Sequence, residues 1–265
     1  MNVAVFCHSL VSDWNHGNAH FLRGIVRELL ARGHAVRVYE PQGGWSRANL
    51  LADCGAQALD DFAADFPELE STLYDLETFD LDAALEGVEL ALVHEWNDPV
   101  LVRRLGERRG RLPSLRLLFH DTHHRSVSSR KDLERYDLGG YDGVLAFGET
   151  ISELYRERGW AARAWTWHEA ADVRLFRPLS ERPREGDLVW IGNWGDGERS
   201  AELDEFLLRP VRALRLTGSV FGVRYPVDAR IAVAAAGLSY RGRLPNARAP
   251  ELFARHRVTV HVPRR

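Results

Sequence analysis

Cysteine is almost missing from this chain: Cys7 and Cys54 are the only two in 265 residues. Two cysteines form neither a disulfide framework nor a zinc-ligand spacing. Cys7 lies in an apolar run and reads as a small core hydrophobe. This usage fits a reducing compartment and predicts a cytoplasmic protein. The opening "MNVAVFCHSL" has neither the basic flank nor the long apolar region of a signal peptide. No apolar run approaches the ~20 residues that a membrane span requires. Lysine is scarcer still, with Lys131 alone, so arginine supplies nearly all of the 35 basic residues. Against 38 acidic residues this leaves a net charge of -3, and no nucleic-acid partner is expected. There is no G-x-G-x-x-G, which disfavours a dinucleotide cofactor. No repeat of solenoid period and no low-complexity tract is present.

What remains is 45% hydrophobic and 28% charged, an ordinary globular composition with enough apolar residues for a sizeable core. "VAVFCH" reads as a strand, and a polar loop follows it. In the next helix Leu22, Ile25, Val26, Leu29 and Leu30 make one apolar face, and Gly33 ends it. "AVRVYEP" is the next strand, which completes a βαβ unit and implies a parallel sheet. The alternation continues through "VELALVH", "DPVLVRRLGERR", "LRLLFH", "YDGVLAF", "TISELYRERG" and "ARAWTWH". Residues 41 to 87 give a weaker pattern, with helices at "SRANLLAD" and "DLDAALEG". The proline-bearing run "FRPLSERPREG" reads as a linker. A second series follows, from "DLVWIG" through the helix "ERSAELDEFLLRPVRALR" to "RVTVHV". The prediction is an α/β protein of two domains, residues 1–175 and 187–265. The last strand runs into "HVPRR" with no helix after it, so a chain continuing beyond Arg265 is expected.

Four predicted strands end in histidine: His8, His94, His120 and His168. Acids follow three of them, giving His94-Glu95, His120-Asp121 and His168-Glu169. In a parallel sheet these ends share one edge, where doubly wound folds bind ligands. Successive strand residues face opposite ways, so each pair is expected to send one member into the cleft. "FHDTHHRS" adds His123 and His124. The i, i+4 spacing of His120 and His124 would suit a metal on a helix, but they fall in a loop and no second ligand cluster appears; no metal is expected. A loop contacting sugar or phosphate and a solvated loop both stay open. Gly17 and Asn18 open the first helix, whose N-terminus presents free N–H groups and a positive dipole end. "WIGNWGDGER" repeats the arrangement in the second series, with Gly192, Asn193, Gly195, Gly197 and Arg199. Arg224 and Tyr225 reach the same edge in "FGVRYP". Trp96, Trp167, Trp190 and Trp194 fall near strand ends, where a ring either stacks on a sugar or base or fills space.

Taken in order, "GNAHFLRGIVRELLARGHAVRVYEP", "HDTHHR", "YDGVLAFGE", "FRPL" and "LVWIGNWGD…RSAEL" resemble the GT-B glycosyltransferases. Within them the chain is similar to a bacterial family-1-like branch around the spore-maturation CgeB proteins, cut short at its C-terminus. The resemblance implies two Rossmann-like domains, the first taking the acceptor and the second, incomplete here, binding a nucleotide-sugar donor. It implies that Gly17, Asn18 and His20 face the donor phosphates or sugar. His120, Asp121 and His123 would line the acceptor side, and Gly192, Asn193 and Arg199 the donor side, with Arg224 beside them. His8, His94, Glu95, His124, His168 and Glu169 would complete the cleft. The usual Arg…Lys pair is not apparent, and Arg199 is the one candidate in its loop. The implied activity is transfer of a sugar to an unidentified glycan, lipid or small-molecule acceptor, a membrane-surface acceptor included, with no cofactor. In an inverting reaction His120 or Asp121 would be the general base. A sugar-nucleotide epimerase and a non-catalytic nucleotide-sugar or partner-binding fragment are the rival readings.

Overall fold

The computed structural model describes residues 1–13, 17–123, 129–180, 182–195 and 199–262. The chain divides into two compact units, Met1–Asp172 and Val173–Arg265. Each is built on a wholly parallel sheet.

The first unit contains strands β1 (Asn2–Phe6), β2 (Ala35–Pro41), β3 (Thr72–Tyr74), β4 (Leu90–His94), β5 (Arg116–Asp121), β6 (Gly143–Ala146) and β7 (Ala164–Thr166). Their spatial order is β3-β2-β1-β4-β5-β6-β7. The order reverses between β1 and β4, and such a switch point opens a crevice beyond the strand ends. The strands are buried on both faces, as parallel strands covered by helices must be. Ala4, Phe6, Val93, Leu117 and Phe119 pack on one side against Leu105 and Tyr155. The Asn18–Ala31 helix buries Phe21, Leu22 and Val26, and Gly33 ends it in the left-handed region at φ 78°. Asp98 caps the Pro99–Arg109 helix by accepting the Val100 N–H at 2.8 Å.

The second unit holds β8 (Gly186–Ile191), β9 (Gly218–Phe221), β10 (Ser239–Tyr240) and β11 (His256–Thr259), in the order β10-β9-β8-β11. The order again reverses beside its first strand. Leu188, Trp190, Leu207, Val220 and Tyr225 form its core. Close backbone packing explains two glycines here. A Cβ at Gly218 would lie 2.2 Å from the Leu188 carbonyl, and one at Gly222 would lie 2.3 Å from the Gly192 carbonyl.

The α/β class with two Rossmann-like parallel sheets is as expected. Several boundaries differ. β1 stops at Phe6 and β7 at Thr166, so His8 and His168 lie beyond their strands. β5 runs one residue past His120, to Asp121. The weakly patterned stretch contains an added helix, Gln57–Asp65, and the short edge strand β3. The helix expected after β8 begins at Ser200–Leu203, opens into a π-turn at Asp204–Leu208 and resumes as Arg209–Leu214. Pro210 supplies the reason, since it has no N–H for a regular α-helical bond.

Candidate functional site

At the first switch point, β4 and β5 place His94 opposite His120 in register. Their rings meet edge-on at 5.2 Å and 70°. Along both strands the side chains alternate. Val93 and Phe119 face one core, while His94 and His120 face the side of the Asn18–Ala31 helix.

His94 sits in a defined network. Its Nδ1 accepts the Trp96 N–H at 3.3 Å, so the neutral ring carries its proton on Nε2. That atom lies 3.4 Å from Thr122 Oγ1 and 3.5 Å from Asn18 Nδ2. The Asn18 amide also donates to the Thr122 hydroxyl. Thr122 passes its own proton to Glu95 Oε1 at 2.7 Å, and its backbone N–H donates to the same oxygen at 2.9 Å. The buried Glu95 carboxylate thus anchors Thr122, which orients both His94 and Asn18.

Asn18 is the first residue of its helix. Gly17 precedes it with no side-chain cap, and no acid occupies the first turn. The free N–H groups and the positive dipole end are therefore not neutralised from within the helix. Gly17 has φ -54°, a value any residue adopts, and a Cβ there would meet nothing within 4 Å. His20, half-buried in the same first turn, contacts Arg23 through Nδ1.

His120 is 2% exposed, enclosed by Phe21 at 5.6 Å and Trp167 at 5.0 Å. Among the described residues its buried Nε2 has no hydrogen-bond partner. Burial pushes its pKa down to about 3. The ring is neutral at ordinary pH and far from the basicity that a general base needs. Asp121 is also not placed as an acceptor-facing base. It is fully buried on the opposite face of β5, where it accepts the Tyr155 O–H at 2.8 Å and the His123 N–H at 3.0 Å. The one-residue extension of β5 and the alternation of side chains turn it there. His123 is half-buried with its ring edge-on to Trp96 at 5.8 Å. His124 lies outside the described residues.

His8 departs from the expected cleft position. It is buried, its ring packs on Trp45 at 4.9 Å, and its Nε2 accepts the Ser46 N–H at 3.3 Å. It thereby satisfies an orphan donor at the start of the Trp45–Cys54 helix, and burial lowers its pKa to about 4. His168 is exposed, with Nδ1 2.9 Å from the Phe147 carbonyl. Glu169 keeps an exposed surface, while desolvation by its surroundings raises its carboxyl pKa. Neither joins the His94 network.

Two charged residues that the sequence did not single out shape the loop before Gly17. Arg23 is buried and donates to the carbonyls of Leu10 at 2.7 Å and Ser12 at 2.8 Å. Burial brings its pKa down to about 10, so it keeps its charge. Glu40, also buried, accepts the Leu10 N–H at 2.7 Å, and desolvation raises its pKa. An arginine placed between Phe21, Leu22 and Ile25 was the available signal for the first. Thr122, inside "HDTHH", gave none beyond its position.

In the second unit Gly192 and Asn193 follow β8 at the carboxyl edge. Asn193 Oδ1 accepts the Val223 N–H at 3.0 Å. Tyr225 ties the edge together, accepting from Trp190 Nε1 at 2.9 Å and donating to the Gly192 carbonyl at 2.8 Å. Trp190 is therefore a core residue. Arg199, expected in the first helical turn to meet the donor diphosphate, is 9% exposed and lies over the Trp190 ring at 5.6 Å. Its Nη1 donates to the Val262 carbonyl at 3.3 Å, which directs this nitrogen into the unit. Arg224 is exposed at the edge in the left-handed region, φ 56°. Among the described residues no group of three or more His, Cys, Asp and Glu is placed to hold a metal ion. No described helix is long and apolar enough to cross a membrane.

No protein-family model and no curated protein matches the chain. Solved structures do. An alpha-glucosyltransferase in complex with UDP and a 13-mer DNA containing an HMU base aligns over 97% of this chain and 71% of its own, at 16% identity and a TM-score of 0.59. A mutant of S. aureus TarM in complex with fondaparinux, alpha-GlcNAc-glycerol and UDP aligns over 97% of this chain and 80% of its own, at 8% identity and a TM-score of 0.57. LpCGTa in complex with UDP aligns over 97% and 74%, at 11% identity and a TM-score of 0.53. These likenesses establish a fold of the GT-B type.

Proposed function

We propose that this chain is a glycosyltransferase that takes a sugar from a nucleotide-sugar donor, of the CgeB-like bacterial branch and working in the cytoplasm. The observation that carries the proposal is the Asn18–His94–Thr122–Glu95 network. It sits at a topological switch point and at an uncapped helix N-terminus, in a fold shared with transferases that bind UDP. The reaction joins the acceptor hydroxyl oxygen to the anomeric carbon as the bond from that carbon to the diphosphate oxygen breaks. The diphosphate leaves with the electron pair, and the acceptor hydroxyl loses its proton.

Residues of the first unit fit part of this chemistry. The N–H groups after Gly17 stabilise developing negative charge. Asn18 and His94, held by Thr122, offer hydrogen bonds to sugar hydroxyls. His120 and Trp167 form the wall behind His94, and Asp121, held by Tyr155, anchors the start of the next loop through the His123 N–H. In the second unit Gly192, Asn193 and Arg224 at the strand ends suit the nucleotide side. This account uses no resident cofactor or metal. The acceptor is a glycan, lipid or small molecule; the DNA bound by one neighbour belongs to that neighbour, and a net charge of -3 does not favour DNA here.

The test is release of nucleoside diphosphate from a panel of uridine, guanosine and thymidine sugar nucleotides, with binding followed by calorimetry. His94→Ala and Asn18→Ala should each lower turnover at least a hundredfold while the far-UV spectrum is kept. Failure of the wild-type chain to bind any sugar nucleotide in the panel would refute the proposal.

A further inference from the structure

The second unit carries a cavity of about 680 Å³ at the amino edge of its sheet. Arg177, Arg182, Arg184 and Arg257 line it, and no acidic residue does among the described residues. Arg184 is fixed by donating from Nη1 to the carbonyls of Ala254 and His256. Arg257 lies 3.7 Å from Asp187. Arg177 and Arg182 make no hydrogen bond or ion pair among the described residues and are exposed toward solvent. One wall is apolar, formed by Phe176 and Phe253 with ring centroids 6.3 Å apart.

Arg257 is partly compensated by Asp187, but the guanidinium groups of Arg177, Arg182 and Arg184 around one concavity repel one another, and a bound anion removes that repulsion. A guanidinium fork matches the oxygens of phosphate or sulfate in bidentate fashion. Gly192 and Asn193 stand at the other end of β8, roughly 17 Å away by the rise of a six-residue strand. This cavity is therefore separate from the carboxyl edge, where the nucleotide is placed.

We infer that Arg177, Arg182, Arg184 and Arg257 form a binding site for a multiply charged oxyanion, a phosphate or sulfate ester, with Phe176 and Phe253 receiving its less polar part. The inference does not depend on the transferase reading. Two sources share this chemistry, a soluble phosphate compound and a lipid headgroup.

The experiment uses the full chain. Calorimetry with inorganic tripolyphosphate is run on the wild type, on Arg177→Ala/Arg182→Ala and on Arg103→Ala, an exposed arginine of the first unit. Sedimentation with phosphatidylglycerol vesicles, against phosphatidylcholine vesicles, forms the second arm. The expected result is at least a tenfold weakening in the double variant, about 1.4 kcal/mol, with no such change in Arg103→Ala. Added salt should weaken binding further. Tripolyphosphate binding alone assigns a soluble ligand, and vesicle binding lost in the double variant assigns a headgroup. Wild-type indifference to both probes, or equal binding by the double variant, overturns the inference. Arg177→Lys/Arg182→Lys, which keeps the charge, separates loss of the site from misfolding and should restore most of the affinity.

Discussion

Enclosure of His120 should make the protein acid-labile well above the pH at which most carboxylates are protonated. In the unfolded chain its imidazole titrates near 6.5, and in the fold near 3. The unfolded state therefore binds more protons between those values, and stability falls as pH drops through that window. At pH 5 the unfolded imidazole is almost fully charged and the folded one is still neutral. The linkage relation then gives a loss of about 2 kcal/mol between pH 7 and pH 5 from this residue alone. The perturbation that isolates it is His120→Phe, a ring of similar shape among Phe21 and Trp167. Urea unfolding at the two pH values should show the wild type losing about 2 kcal/mol more than the variant. His8, lowered to about 4, adds a similar slope that both proteins share. A proton NMR titration of the imidazole signals offers a direct check. Identical pH dependence in the two proteins, or a His120 signal titrating near 6.5, would refute the reasoning.

Three further outcomes follow from neighbouring contacts. Tyr155→Phe removes the O–H that serves the buried Asp121 carboxylate at 2.8 Å and should cost about 1–3 kcal/mol in chemical denaturation. Arg23→Met leaves the Leu10 and Ser12 carbonyls without their donor. It should destabilise the chain by about 3 kcal/mol, with protease cleavage near residues 10–13 as the readout. Gly17→Ala meets open space at a compatible φ, so the melting temperature should hold or rise slightly. Under the transferase proposal the added methyl should raise the Kd for the sugar nucleotide, measured by calorimetry.

Much of the fold is a local matter. The 3.6-residue pattern of Leu22, Val26 and Leu29 and the apolar runs of β1, β4 and β5 depend only on near neighbours. The two units, their parallel sheets and the turn at Gly33 were therefore readable from the chain alone. β3 was not, because an edge strand of three residues carries no period of its own.

The candidate site was legible in its residue types and much less in its arrangement. Asn18, His94 and Thr122 are far apart in the chain and meet only because the strand order reverses between β1 and β4. The orientation of Asp121 hung on a single residue of strand length, since adjacent side chains leave a sheet on opposite faces. Arg199 looks like a loop cation in the sequence, yet the Trp190 ring and the Val262 carbonyl draw it inward. Sequence periodicity determined most strands and helices, though not β3 or the Gln57–Asp65 helix. Tertiary structure alone decided which polar atoms face the crevice, because strand order, register and burial join residues whose separation along the chain leaves no local trace.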